Sequence, residues 1–219
     1  MGGPGEKIRR TIVKVCGITR IEDARAAVEV GADWLGFVLW DDSPRRIEPG
    51  RAAEIAAAVP EALAVAVMVA PTPDGAAVAA ARAGAGRVQL HRVDPMAWPA
   101  DFPLPVTFVV PVATDGLLGE ALPATRYLVM LDTAHARLPG GTGERVPWET
   151  ARVVAATRDV MLAGGLDGDC VAEALERVRP FGVDASSRLE SSPGIKDADK
   201  VRRYVAAVRE FDEREQHRT

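Results

Sequence analysis

Ile12, Val13 and Val15 run into Cys16, and Gly17 follows at once. A short buried strand that hands a thiol to a tight turn makes that thiol the first candidate for chemistry. Other apolar runs end the same way. WLGFVLW opens into a loop holding Arg45 and Arg46, RVQLH ends on His91, and YLVMLDT carries Asp132. LAGGL supplies Gly164 and Gly165, while FGVDASS supplies Asp184, Ser186 and Ser187. A thiol, a carboxyl, cations, and loops of glycine and serine are together the parts of a site for a sugar phosphate, since backbone N–H groups and hydroxyls cradle a dianion.

These groups meet only if the strands that carry them run parallel and end at one rim. The strands lack polar alternation, and most are followed by a stretch of helical period, which calls for a parallel sheet covered by helices. Eight such units are predicted. The strands fall at residues 12–16, 34–40, 62–70, 87–91, 106–112, 127–133, 160–166 and 181–187. Helices are expected near residues 22–30, 50–58, 74–83, 94–98, 115–122, from 148, over 170–178 and from 197, those at 94–98 and 115–122 being the poorest in helical pattern. Eight units in this length predict an α/β protein built as a single (βα)8 TIM barrel. A doubly wound open sheet is the alternative, but no GxGxxG follows the first strand. In a barrel the loops after strands seven and eight frequently bind phosphate, and AGGL and DASSR sit there.

Composition narrows the classes. The chain has 219 residues, 47% of them hydrophobic, with net charge −4 and a pI near 5.5. Its charges are mixed, without a basic run, which speaks against nucleic acid or an anionic membrane as partner. The longest apolar run, residues 62–70, is far short of the roughly 20 residues of a membrane span. Residues 1–10 read as a flexible lead-in without signal-peptide character, and 11–219 as one barrel domain. Two cysteines, Cys16 and Cys170, read as free thiols in a reducing cytoplasm, with Cys170 packing at a helix start. His135 and His217 are expected to stand apart from the site. No cluster has metal-ligand spacing, so no metal is expected.

The segment KVCGITRIEDARAAVEVGADWLGFVLWDDSPRRI closely resembles the amino-terminal part of the phosphoribosylanthranilate isomerase family. VQLH, MLDT with PGGTG, LAGGL, VDASS and PGIKD follow in the family's order, so the resemblance covers nearly the whole chain. It implies a cofactor-free isomerase that carries out an Amadori rearrangement, with Cys16 as general base and Asp132 as general acid. The acid must hold a proton at neutral pH, so Asp132 needs a raised pKa, whereas Cys16 needs surroundings that lower its own or favour the thiolate. Arg45 is implied to grip the anthranilate carboxylate by two hydrogen bonds. His91 and Asp184 are implied to be polar groups at the rim, and Gly164, Gly165, Ser186 and Ser187 to bind phosphate.

Three residues depart from the family pattern. Arg188 stands where glycine is usual after VDASS, either adding a cation for the phosphate or blocking close backbone approach. Arg92 follows QLH in place of glycine, and Glu144 stands where lysine is frequent. Two alternatives follow: an isomerase for a different phosphorylated aminosugar, or a barrel that binds a phosphosugar without turnover. The expected partner is a small phosphosugar, and the assembly a monomer or homodimer.

Overall fold

A parallel strand covered on both faces needs apolar residues at successive positions, and β1 (Ile12–Cys16) meets that need except at Lys14. The strands that follow are β2 (Trp34–Val38), β3 (Leu63–Val69), β4 (Arg87–His91), β5 (Val106–Val112), β6 (Leu128–Thr133), β7 (Val160–Leu162) and β8 (Gly182–Ala185). The structure, a computed structural model, describes residues 9–133 and 146–218. Each strand pairs in parallel with its successor, and β8 returns to β1. The (βα)8 barrel read from the sequence is therefore present, and the β1–β8 ladder excludes an open sheet.

Closure sorts the apolar side chains into two spaces, because residues alternate across a strand. Val13, Val15, Leu35 and Phe37 join the layer between sheet and helices. Cys16, Val65, Val67, Val109, Met130 and Met161 fill the barrel's interior. The outer layer is covered by α1 (Ile21–Glu29), α2 (Pro49–Ala57), α3 (Pro73–Arg82), α4 (Trp148–Ala155), α5 (Val171–Val178) and α6 (Ala198–His217).

Six helices, rather than eight, are present among the described residues. The segments 94–98 and 115–122, expected to be helical, are turns and irregular chain. Pro95, Pro99, Pro103 and Pro105 crowd the first crossing, and proline inside a helix removes a hydrogen bond and clashes with the preceding turn. Trp98 covers the sheet there instead, its ring centroid 5.1 Å from Phe102 and 6.3 Å from Phe108. On the second crossing Leu118 bridges back to Val112, and Tyr127 packs edge-on to Phe108 at 5.0 Å. Strands β2, β7 and β8 are shorter than expected. β7 stops at Leu162, since Gly164 and Gly165 take φ of 84° and 63° and turn the chain out of the sheet.

One feature was not legible in the sequence. After β8 the chain makes a 3-10 turn, Ser187–Leu189, and a small hairpin of β9 (Glu190–Ser192) and β10 (Ile195–Lys196). Asp197 then caps α6 by accepting from the N–H groups of Asp199 and Lys200 at 3.0 and 3.1 Å.

The opposite end of the barrel is fastened by α6. Asp212 accepts from Thr11 Oγ1 at 2.6 Å and from the Thr11 N–H at 3.2 Å. Arg209 donates to Asp212, to Asp33 and to the carbonyls of Thr11 and Gly31. Arg9 and Arg10, read from sequence as lead-in, form ion pairs with Asp159 and Asp33. The first eight residues lie outside the described part of the chain. Asp212→Ala would strand a buried N–H and hydroxyl and remove one of Arg209's two acid partners. It is expected to cost about 2–3 kcal/mol of stability in urea unfolding.

Candidate active site

Register decides what shares the rim. In the closed sheet Lys14 is level with Asp184, Cys16 with Gly36, Val69 with His91, and Pro111 with Asp132. Cys16, Arg45, Gln89, His91, Asp132, Asp184 and Ser186 consequently line one cavity at the carboxyl ends of the strands. Val38, Trp40, Pro44, Val67 and Val69 give it an apolar wall, and its empty volume is about 630 Å³. A second hollow of about 300 Å³ adjoins it, sharing Asp132, Asp184 and Ser186 and lined further by Gly164, Gly165, Ser187 and Arg188. The acid from the sixth strand thus stands where the two spaces meet.

Lys14 is fully buried, and its Nζ donates to Asp184 Oδ1 at 2.8 Å. Burial works against the ammonium, yet Asp184 and Cys16 outweigh it and hold the lysine pKa above its ordinary value. There is room because residue 36 is glycine. A Cβ at that position would lie 2.6 Å from Cys16 Sγ and 3.1 Å from Lys14 Nζ.

The two groups implied to be acid and base are both buried. Burial pushes the Asp132 carboxyl up to about 6, helped by the nearby Asp184 and opposed by the Thr133 N–H, which donates to it at 2.8 Å. This agrees in direction with what an acid requires. The thiol does not behave as the sequence reading required. Burial pushes Cys16 up, Asp184 adds to that, and Lys14 and Lys196 only partly offset it. Burial penalises the thiolate more than the neighbouring ammonium groups repay.

His91 is held neutral. Burial, with Lys14 and Arg92 beside it, lowers its pKa to about 3, and the Gln89 amide donates to its Nε2 at 3.1 Å. Gln89 Oε1 is buried inside the cavity with no protein partner.

Arg45 reaches the cavity, but its Nε and Nη2 donate to both oxygens of Glu190 at 2.8 Å each. The two-bond grip expected of it is made to Glu190 along that edge, so a ligand carboxylate meets only the remaining Nη1 side. Glu190 also accepts from Lys196 Nζ at 2.8 Å, and Lys196 donates to the Ser186 carbonyl at 3.2 Å. Burial raises the Glu190 carboxyl, but the bonds from Arg45 and Lys196 win and keep its pKa low.

Of the predicted phosphate residues, Gly164, Gly165, Ser186, Ser187 and Arg188 stand together around the smaller hollow. The Ser186 hydroxyl donates to the Cys16 carbonyl at 3.0 Å, so it braces the first strand. Arg188 is exposed at the hollow's edge. Cys170 is buried under α5 as expected. Glu144 and His135 lie outside the described residues. His217 is exposed at the end of α6 and Arg92 is exposed beside β4. Among the described residues no group of acidic, histidine or cysteine side chains is placed to hold a metal ion.

Sequence reasoning missed Lys14, Gln89, Glu190 and Lys196. Lys14 and Gln89 had a usable signal, being polar residues on buried strands at the same parity as Cys16 and His91. Glu190 had none, because its partner Arg45 is 145 residues away, and Lys196 was legible only as part of the PGIKD motif, not as the cation that meets Glu190.

A closed parallel barrel with an ionisable pocket at its carboxyl rim and a glycine–serine hollow beside it defines a barrel enzyme that works at that rim. Residues 13–207 match the family model described as N-(5'phosphoribosyl)anthranilate (PRA) isomerase. An N-(5'-phosphoribosyl)anthranilate isomerase of Geobacter sp. (strain M21) is 42% identical over 203 residues, covering 92% of this chain and 99% of the relative. The crystal structure of phosphoribosyl anthranilate isomerase from Thermotoga maritima superposes with a TM-score of 0.81 at 31% identity, covering 91% of this chain and 99% of that one. A further isomerase structure, in complex with reduced 1-(o-carboxyphenylamino)-1-deoxyribulose 5-phosphate, gives a TM-score of 0.78 at 29% identity, covering 91% and 99%. The chain belongs to the phosphoribosylanthranilate isomerase family.

Gly36→Ala would drive a methyl group into the thiol and the lysine. It is expected to lower kcat/KM at least tenfold, a loss of about 1.4 kcal/mol or more in transition-state stabilisation. Overpacking should also cost about 1–3 kcal/mol of stability. Steady-state kinetics and urea unfolding of the same variant check both.

Proposed function

We propose that this protein converts N-(5-phosphoribosyl)anthranilate to 1-(2-carboxyphenylamino)-1-deoxyribulose 5-phosphate, with Asp132 as general acid and Cys16 as general base. The observation that carries the reading is the convergence of Cys16 and Asp132 on one cavity, with Asp132 also lining the glycine–serine hollow beside it. The aromatic end of the substrate occupies the larger space against Val38, Trp40 and Pro44, with its carboxylate toward Arg45. The phosphate occupies the smaller one, held by backbone N–H groups around Gly164, Gly165, Ser186 and Ser187 and by the Arg188 cation. The ribose carbons then lie between the two, level with Asp132 and Asp184.

Chemistry follows from that placement. Asp132 gives its proton to the ribose ring oxygen, the C1′–O bond breaks, and the anilino nitrogen's lone pair forms the iminium. The Cys16 thiolate takes the C2′ proton, and the C–H pair becomes the C1′–C2′ double bond of an enolamine, which tautomerises to the ketose. His91, neutral at working pH, and the unsatisfied Gln89 Oε1 offer hydrogen bonds to the substrate's polar groups. Two buried cysteines left as thiols suit a reducing cytoplasm, and no helix among the described residues is long and apolar enough to cross a membrane.

A second reading, an isomerase for another phosphorylated aminosugar, rests on Arg188 at the edge of the hollow. A kcat/KM for the anthranilate substrate in the range of ordinary metabolic enzymes, about 10⁴ M⁻¹s⁻¹ or above, decides for the first.

Cys16→Ala and Asp132→Asn are each expected to abolish turnover while thermal unfolding stays near that of the parent. Retention of most of the rate by either would overturn the roles. The pH dependence has a distinctive form, because the productive state pairs a protonated Asp132, pKa about 6, with a deprotonated Cys16 of raised pKa. Between those two pKa values each step up in pH loses protonated acid as fast as it gains thiolate, so the productive fraction is small and constant. Below about pH 6 the acid is already protonated and the thiolate keeps disappearing. Log kcat/KM should therefore be flat through neutrality and fall with unit slope below about pH 6.

A further inference from the structure

The thiol presents a difficulty that its own position does not resolve. It is buried, and a base that has to ionise there needs a compensating charge fixed close by. The groups that face it are Lys14 on its own strand, Asp184 from β8, Asp132 from β6, His91 from β4, Arg45 from the β2–α2 loop, and Glu190 with Lys196 from the hairpin. His91 is neutral. Arg45 and Lys196 are both spent on Glu190, whose two oxygens they share. Lys14 is the cation that bears most on the sulfur, with Lys196 a smaller influence: the Lys14 Nζ and the Sγ both press on the vacant Cβ position of Gly36, and Asp184 holds the ammonium from the other side at 2.8 Å.

We propose that Lys14 is a positioning residue for the proton transfer, an ammonium anchored by Asp184 whose charge lets Cys16 ionise inside the barrel. The proposal rests on Cys16 being the base, and it gives Asp184 a task besides touching substrate. Asp184 keeps the flexible lysine at one place and keeps it charged. When the thiolate forms, the ammonium lies between two anions instead of beside one. When the thiolate takes the C2′ proton, the Lys14–Asp184 pair is restored, and no proton has to leave either partner. Gly36 completes the arrangement, because any side chain there would part the nitrogen from the sulfur.

The test compares the parent with Lys14→Met and with Lys14→Met/Asp184→Asn, all in a Cys170→Ala background so that one cysteine remains. The double variant removes the ion pair as a neutral unit and keeps a folded protein to measure if the single variant leaves Asp184 too costly to bury. Cys16 alkylation by iodoacetamide is followed across pH, together with kcat/KM. The expected result is a rise of at least one pH unit in the alkylation midpoint for Lys14→Met, a tenfold drop in thiol ionisation at neutral pH, and a smaller rise for the double variant, because Asp184→Asn also removes a charge that opposes the thiolate. The flat region of the kcat/KM profile should fall at least tenfold while its alkaline limb moves up with the thiol. A merely structural role for Lys14 would lower activity without moving either midpoint. An alkylation midpoint that stays put or falls overturns the proposal. A midpoint that rises while the alkaline limb of kcat/KM does not follow overturns instead the assignment of Cys16 as base, and with it any part for Lys14 in turnover.

Discussion

Closing a sheet of eight parallel strands brings the first strand against the last, and here that contact sets Lys14 level with Asp184. A lysine and an aspartate buried in an apolar barrel are each expensive alone, since an uncompensated charge in such a place costs several kcal/mol. As a pair at 2.8 Å they are tolerable, and they fix the angular position of β1 relative to β8. The same pair stands beside the thiol, and its two charges bear on Cys16 and Asp132 alike. One contact thus belongs both to the seam where the barrel closes and to the electrostatics of the site.

A second charged network shapes the mouth. Glu190, on the hairpin that follows β8, accepts from Arg45 after β2 and from Lys196 across the hairpin. The Lys196 N–H in turn donates to Asp23 on α1 at 3.0 Å. Two carboxylates, Glu190 and Asp23, therefore tie the loop after the second strand and the first helix to the segment after the eighth. The guanidinium that faces the cavity is held rigid by this, so little rotamer freedom is left to lose when an anion arrives. The motif PGIKD, which reads as a family signature, has a physical explanation in this network: the Gly194 turn and Lys196 exist to present a buried cation to Glu190.

The two ends of the barrel divide their duties. At the amino-terminal end, Asp33, Thr11, Arg209 and Asp212 bond to one another away from the cavity, although Arg209 Nε is left without a partner. At the carboxyl end, polar groups are left incompletely satisfied, such as Gln89 Oε1, and acids and thiols are buried where their neutral forms are favoured. A buried acceptor left without a partner at the rim is one that a substrate's donor can satisfy.

Much was legible from residues 1–219 read in order. Apolar runs of strand length gave the eight strands, their spacing gave the barrel, and the ends of those runs gave Cys16, His91, Asp132 and the glycine and serine loops, because a parallel strand buried on both faces is apolar along its length and turns polar or glycine-rich where it reaches the rim. The missing helices after β4 and β5 escaped, since four prolines and the packing of Trp98 outweighed a weak helical pattern there. What the chain order could not supply was pairing at long range. That Asp184 neutralises Lys14, that Glu190 occupies the better edge of Arg45, and that the thiol's pKa rises rather than falls all depend on distances across a closed barrel and on how much water that closure expels. Residue types and local periods are written along the chain, but dielectric and charge neighbourhood are properties of the assembled interior, and only the tertiary structure decides them.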